Sequence, residues 1–577
     1  MRETLNALIG EVMAAVIADG RLPLAELPQV SVERPRDTAH GDWATNVALV
    51  TARAAGMQPR AVAEIVAGEL RARLGATADV VEIAGPGFIN IRLARGVLAE
   101  VVAHARSQGA DFGAGTRSGR RVQIEFVSAN PVGPMHVGHG RWAALGDSIA
   151  RILEHAGDSV EREFYVNDAG VQMDIFAASV SARYLELCGR EVEFPEDGYR
   201  GAYITEIARE IHEAEGLTWV DAEPASREAH FREKAYAQVL AHLKRVLSGM
   251  GVDFDVWFSE RTLHAADEDG GSTAIERGIE RLREAGHVFE QEGAIWFRST
   301  AFGDDKDRVL KKADGTYTYF AADVAYHADK FDRGFDLVID IWGADHHGYV
   351  KRMESAVAAL GHPGKLEVII GQMVNLFRNG EVVRMSKRTG EMVTFEDLLD
   401  EVGADAARYF FLRRSTDQPL DFDIGLAKER SSDNPVFYVQ YAHARICSIL
   451  RKAAGADTAD ESVDVAAVAA GIEADPDALA LLGSEPDTLA GDAELALLRK
   501  LAEFPEVVAL AARQRAPHKL TTYAEDLAAA FHGFYTHCQV VVDDPALRSA
   551  RLALADASRI VLARALGLLG VSAPQRM

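Results

Sequence analysis

The sequence is poor in three things, and each scarcity excludes a class of protein. Cysteine occurs only as Cys188, Cys447 and Cys538. Three widely separated thiols rule out a disulfide framework, offer no CxxC pair for a zinc knuckle, and suit a reducing cytoplasm. Long apolar runs are missing. No stretch of about 18 uncharged apolar residues occurs, so no transmembrane helix is expected. At the N-terminus, Glu3 and Glu11 interrupt an apolar pattern that lacks a basic leader, which reads as an amphipathic helix and not a signal peptide. Positive charge is the third scarcity. Lys and Arg number 62 against 87 Asp and Glu, a net charge of −25, which argues against a uniformly basic nucleic-acid binder. The deficit is concentrated, however. Between Lys452 and Arg499 lie eleven acids and no base. This Ala/Asp/Gly-rich stretch reads as a solvated insertion or mobile loop, and the rest of the chain has room for local basic surfaces.

What is present divides into three modules, since 577 residues exceed what one hydrophobic core organises. Residues 1–117 alternate helical and short-strand patterns. Leu5, Leu8, Ile9, Val12 and Ile17 predict a helix that Gly20 and Pro23 end. Val81 to Ile83 and Phe88 to Ile91 flank Gly85-Pro86-Gly87, a strand–turn–strand pattern. The Gly/Ser-rich stretch 107–119 reads as a linker. Residues 118–425 then give an α/β pattern, with strands over 122–127, 160–166, 337–342 and 366–370 and a helix over 139–155, which predicts a doubly wound parallel sheet. A helix-rich acidic insertion occupies about 171–315. Residues 426–577 are Ala/Leu-rich and predict a helical bundle. There is no internal repeat.

Two short motifs carry chemistry. In the first, His136-Val137-Gly138-His139 follows a strand and opens a helix. A helix N-terminus presents unpaired N–H groups and a positive dipole end, which suits phosphates. Gly138 permits close approach, and histidines three apart can both donate to phosphate oxygens as charge develops. Two solvent-facing histidines at a helix start would look the same. Zinc is disfavoured, because the metalloprotease pattern places its histidines four apart around a Glu. In the second, Arg384-Met385-Ser386-Lys387-Arg388 follows a turn. A basic loop there can close on a triphosphate, with Lys387 as a point charge on departing pyrophosphate; a solvent-exposed basic turn is the plain alternative.

Together, and in this order, the two motifs resemble the nucleotide-handling signatures of class I aminoacyl-tRNA synthetases. The surrounding segments narrow the resemblance to the bacterial arginyl-tRNA synthetases. These are Glu125 to Pro131, Glu163 to Gly170, Tyr199 to Tyr203, Asp323 to His327, Gly343 to Tyr349, His40 to Asn46, Gly85 to Asn90 and Asn434 to Arg445. The second motif departs from the common class I pattern, with Arg384 where Lys is usual and Arg388 where Ser is usual.

The resemblance implies a Rossmann-type catalytic domain, an α+β N-terminal domain that meets the tRNA elbow, and an anticodon-binding bundle. It implies that arginine and ATP give arginyl-adenylate and pyrophosphate, and that arginine then passes to the 3′ end of its tRNA. The first step is expected to depend on bound tRNA. Residue by residue, it implies ATP contacts at His136, Gly138, His139, Asp345, Met385, Ser386 and Lys387. Arginine contacts fall on Glu125, Asn130, Tyr319, Asp323 and His346, and tRNA contacts on Phe88, Asn90, Tyr438, Tyr441, Arg445 and Met577. His136, His139 and Lys387 are the catalytic expectations.

The residues themselves agree in part. A guanidinium presents five donors, so its pocket needs acceptors. Glu125 lies in an apolar strand, where an acid requires a partner. Asp323 follows an aromatic-rich run but could equally be a helix N-cap, and the histidines of Asp345-His346-His347 could cap a helix. Magnesium is expected to accompany ATP, with no acidic cluster marking protein ligands. A cytoplasmic monomer that makes no membrane contact is expected. Alternatives are another class I synthetase, a non-catalytic tRNA-binding paralogue, and a small-molecule nucleotidyltransferase. The last would need neither flanking module.

Overall fold

A computed structural model describes residues 1–577 apart from 36, 268–269, 379, 384–392, 458–461, 474 and 485–487. The first module packs helices Arg2–Ala18, Val47–Ala55 and Pro59–Leu74 with a four-stranded antiparallel sheet. Its strands Ala78–Ala84 and Phe88–Leu93 form the expected hairpin, with Ala84 opposite Phe88 and Val81 opposite Ile91. Gly87 adopts φ +147° there and backs onto the Pro59 carbonyl, where a side chain has no room.

The stretch 107–119 is not a free linker. Helix Arg95–Gln108 runs into it, and Phe112 is buried against Phe504 at 6.0 Å between ring centroids. A Cβ on Gly113 would strike the Phe504 ring, and one on Gly115 the Ala156 carbonyl. These glycines serve close packing rather than flexibility, two uses of the residue that look alike in sequence.

The central sheet has five parallel strands. These are β1 Arg121–Glu125, β2 Ser159–Val166, β3 Val256–Ser259, β4 Leu337–Gly343 and β5 Leu366–Gly371, in the order β5-β4-β1-β2-β3. Helix α1 (Val137–His155) and helix α2 (Tyr319–Asp332) cover opposite faces. Phe126 packs its ring on Gly146 of α1, whereas Glu125 points the other way, to Lys330 of α2. Strand β3 corrects the expectation that 171–315 lies wholly outside the sheet. Only four residues long and without apolar–polar alternation, β3 gives no period-two signal. The inserted material comprises helices Val171–Leu187, Ala202–Glu215 and Pro224–Gly249 before β3, and a small antiparallel sheet over 288–311 after it.

The last module contains α3 (Pro435–Ala453), α4 (Leu489–Gln514), α5 (His518–His537) and α6 (Pro545–Leu568). The acidic stretch before α4 is structured where it is described, contrary to the loop expectation. Asp464 and Asp475 are N-caps of short helices, buried Glu494 accepts from Gly483 N and pairs with Arg551 at 2.7 Å, and Val465, Leu479 and Leu482 are buried. Acids that cap helices or neutralise a buried guanidinium read in sequence as mere excess charge. No helix among the described residues is long and apolar enough to cross a membrane.

One buried guanidinium ties these parts together. Arg408, from helix Ala404–Leu412, bonds to Asp147 of α1, donates to the Leu569 carbonyl just past α6 (2.9 Å), and reaches the Met250 carbonyl at the end of an insertion helix (3.2 Å). Burial lowers its pKa, and Asp147 opposes that shift. Replacing Arg408 by Met strands the Met250 carbonyl, leaves the Leu569 carbonyl to Ser148 alone, and removes one of the three arginines around Asp147. Chemical denaturation of that variant is expected to show a loss of about 3 kcal/mol; an unchanged midpoint would remove the hub from the account.

Candidate active site

Strand order reverses between β1 and β4, and the crevice beyond the carboxyl ends of such strands is where open α/β sheets hold ligands. Three acids stand in register just below that crevice: Asp340 on β4, Glu125 on β1 and Glu163 on β2. Adjacent buried carboxylates repel, and α2 supplies the compensation at helical spacing. Lys330 Nζ donates to Glu125 Oε2 (2.6 Å) and to Asp340 Oδ1 (2.8 Å). His327 Nε2 meets Asp340 Oδ2 at 2.9 Å. Tyr326 and Arg333 donate to Glu163. Burial raises the Glu125 carboxyl and Lys330 opposes that shift.

Asp323 lies on the same helix, nearer its N-terminus. It is not the N-cap: Thr318 is, accepting from Ala321 N. The Asp323 side chain instead accepts from the Tyr349 hydroxyl at 2.5 Å, and burial raises its pKa against that bond. Glu260, the residue after β3, is 5% exposed. Its Oε2 has no hydrogen-bond partner among the described residues. Burial, reinforced by Asp323 and Asp168, pushes its carboxyl up to about 7. No Lys or Arg among the described residues is paired with Asp323 or Glu260, whereas the neighbouring Asp168 is held by Arg261 and Ser259.

At the head of α1 the two histidines cap their own helix. Gly138 N donates to His136 Nδ1 (3.1 Å), and His136 N donates to His139 Nδ1 (3.2 Å); the rings stack at 3.8 Å. Because each Nδ1 accepts, the neutral rings carry their proton on Nε2. Trp142, one turn on, lies over Gly343 and Gly371 at the ends of β4 and β5; a Cβ would collide with its indole at Gly371 and with Asp345 at Gly343. Met385, Ser386 and Lys387 of the second motif lie outside the described residues. Its C-terminal flank does not. Thr394 bridges His136, and Phe395 N donates to the Met135 carbonyl (2.9 Å), with the Phe395 ring against Gly140. The chain leaving the second motif is therefore fastened to the first.

The other expected residues are spread around this cleft. Asn130 is half-buried and bonds to Gln172. Tyr319, the first residue of α2, is 77% exposed. Asp345 and His346 are exposed, paired at 3.4 Å on a short turn after β4, so neither histidine caps a helix through its side chain.

Far from the cleft, Tyr441, Arg445, Tyr535, Lys452, Arg576 and Met577 line a groove of about 520 Å³ on the last module. The Arg445 guanidinium stacks between the rings of Tyr441 and Tyr535. Tyr438 shares the face of Tyr441 but turns toward His532 and does not line the groove. Phe531, one turn before Tyr535, is core. In the first module Phe88 is 42% exposed, whereas Asn90 is 4% exposed. Alternation puts both on one side, but Asn90 is covered there, with its Nδ2 unpaired among the described residues.

Sequence reasoning missed Glu260, Lys330 and Asp340. An acid directly after a parallel strand is a pocket candidate, so recognising β3 would have found Glu260; nothing in the local pattern marks Lys330.

The comparisons agree across the chain. Residues 3–93 match the model for the arginyl-tRNA synthetase N-terminal domain, residues 101–418 that for the class I (R) tRNA synthetase catalytic domain, and residues 439–577 that for the DALR anticodon-binding domain. An arginine–tRNA ligase of Heliobacterium modesticaldum is 48% identical, covering 100% of this chain and 99% of its own. One from Syntrophotalea carbinolica is 47% identical with both chains fully covered. The arginyl-tRNA synthetase structure of Thermus thermophilus superposes with a TM-score of 0.75 over 100% of both chains at 22% identity, a likeness of fold. With its sheet, its paired histidines and all three modules accounted for, the chain belongs to the arginyl-tRNA synthetase family of class I aminoacyl-tRNA synthetases.

Proposed function

We propose that the crevice between β1 and β4 is where this ligase activates arginine, and that its residues divide the work as follows. The observation that carries the reading is the pair of carboxylates, Asp323 and Glu260, without a Lys or Arg partner among the described residues. A guanidinium supplies the missing charge and donors. Tyr319 covers it from the solvent edge, and Tyr349 holds Asp323 in place. Glu125, Asn130 and His346 take the α-amino and carboxylate end. A ligand without the guanidinium leaves buried acceptors unpaired, so selection by binding suffices.

ATP lies across the head of α1. A carboxylate oxygen of arginine attacks the α-phosphorus, and the bond to the bridging oxygen of pyrophosphate breaks. His136 and His139 present Nε2–H donors to the charge that grows on the phosphate oxygens. Asp345 faces the ribose, Gly138 lets the nucleotide approach, and Met385, Ser386 and Lys387 close on the departing pyrophosphate. No cluster of three possible metal ligands occurs among the described residues. Mg²⁺ accompanying ATP would neutralise phosphate charge.

The tRNA runs from the elbow, at Phe88, to the groove of Tyr441, Arg445 and Met577, where exposed rings beside a guanidinium suit unpaired bases. Modules 1–117, 118–425 and 426–577 take the elbow, the chemistry and the anticodon. The protein works as a cytoplasmic monomer; three widely separated cysteines suit a reducing compartment.

ATP–pyrophosphate exchange across the amino acids tests the reading. Exchange is expected with arginine alone and only with tRNA present; exchange with a different amino acid, or none under any condition, contradicts it. Asp323→Ala is expected to raise the KM for arginine by about 100-fold, corresponding to the loss of a buried charged hydrogen bond, with the KM for ATP little changed. Equal effects on both would make Asp323 structural. Arginine binding also acquires a pH dependence. Ionised Glu260 attracts the guanidinium and protonated Glu260 does not, so with its carboxyl at about 7 the KM for arginine should rise as pH falls from about 8 to about 6. Glu260→Gln should flatten that rise; a slope unchanged in the variant removes Glu260 from the pocket.

A further inference from the structure

Lys330 is 0% exposed. Its ammonium bridges Glu125 and Asp340 and lies 4.3 Å from the Tyr326 ring centroid. Stability alone does not call for such a group, since apolar residues of similar volume often replace buried ion pairs without loss. The other half of the Glu125 carboxylate suggests the reason. Glu125 Oε1 accepts from Ser128 Oγ (2.8 Å), and that oxygen in turn accepts from the Tyr165 amide (3.2 Å). Between them the chain is strained: Val127 has φ +70° and Ser128 has φ +42°. A β-branched residue is rare in that region, and such conformations persist only where the surroundings over-determine them. Asn130 follows two residues later, at the cleft.

We propose that Lys330 is a positioning residue for the amino-acid end of the cleft. By gripping one oxygen of Glu125 it leaves the other to hold Ser128, and the pair keeps the 127–128 turn in its left-handed form. That turn sets where Glu125 and Asn130 meet arginine. Asp340 shares the ammonium, His327 holds Asp340 from the far side, and Arg333 and Tyr326 occupy Glu163, so no other cation hydrogen-bonds Glu125 among the described residues. The inference rests on the reading of Glu125 and Asn130 as arginine contacts.

The test is arginine-dependent ATP–pyrophosphate exchange with tRNA, on the full chain, for Glu125→Gln, Lys330→Met, Ser128→Ala and the Lys330→Met/Ser128→Ala double variant. Lys330→Met should raise the KM for arginine by about tenfold and Ser128→Ala by about threefold, sizes typical of one charged and one neutral hydrogen bond. The KM for ATP should stay within about twofold, and the double variant should fall short of the product, because both act through one turn. A merely structural lysine would shift both KM values alike, which overturns the proposal. So does an unchanged KM for arginine in both single variants when Glu125→Gln raises it. No effect of Glu125→Gln sinks the underlying reading instead. Should Lys330→Met fail to fold, Ser128→Ala decides alone.

Discussion

Three carboxylates side by side on parallel strands form the constraint around which this catalytic domain is arranged. Asp340, Glu125 and Glu163 occupy matched positions on β4, β1 and β2, where burial penalises each charge and each penalises its neighbours. The sheet tolerates them because α2 lays Tyr326, His327, Lys330 and Arg333 across them. Helical periodicity brings these side chains to one face. Ion pairs of this kind add little net stability, but they are strict about geometry. The helix cannot slide by a turn without stranding a charge, so its register is set. Asp323, one turn above Tyr326 and His327, is thereby delivered to the cleft at a fixed height.

The same electrostatics carry through to selection. Where cations of the protein hold the acids, as at Asp340 and Glu163, the acids are structural. At Asp323 and Glu260 no Lys or Arg of the described chain completes the pairing, and the guanidinium of arginine is the partner proposed for them. The proposed nucleotide half is built by a different device. His136 and His139 commit their Nδ1 atoms to capping α1, with each Nε2 on the opposite edge of its ring. The capping bonds, the Trp142 indole over Gly343 and Gly371, and the Thr394 bridge to His136 make the head of α1 a rigid platform.

Much of this was legible in the sequence, unevenly and for physical reasons. The long strands and helices announce themselves through periodicity, and the hairpin through its Gly-Pro-Gly turn. The two motifs mark a nucleotide, and the family resemblance marks arginine at Asp323, Glu125 and Asn130. Other features need three dimensions. Strand β3 is too short for a pattern, so Glu260 went unnoticed at its end. Lys330 is a helix lysine of the commonest sort until the fold buries it. Glycines at 113 and 115 look like slack and are contact points. The acids of 464–494 look like solvated charge, yet some cap helices and one neutralises Arg551. Asn90 shares its strand face with Phe88, but only tertiary cover shows that it is enclosed.

The central claim is that acidic groups in the cleft, without a Lys or Arg partner among the described residues, select the amino acid by its positive charge. Citrulline keeps the shape of arginine and replaces the guanidinium by a neutral urea. Calorimetric titration of arginine and of citrulline into the enzyme–tRNA complex separates charge from shape. The account expects arginine to bind at least about 100-fold more tightly, the scale of one lost buried charged interaction. Comparable affinities for the two would show that the pocket reads shape alone, and would contradict it.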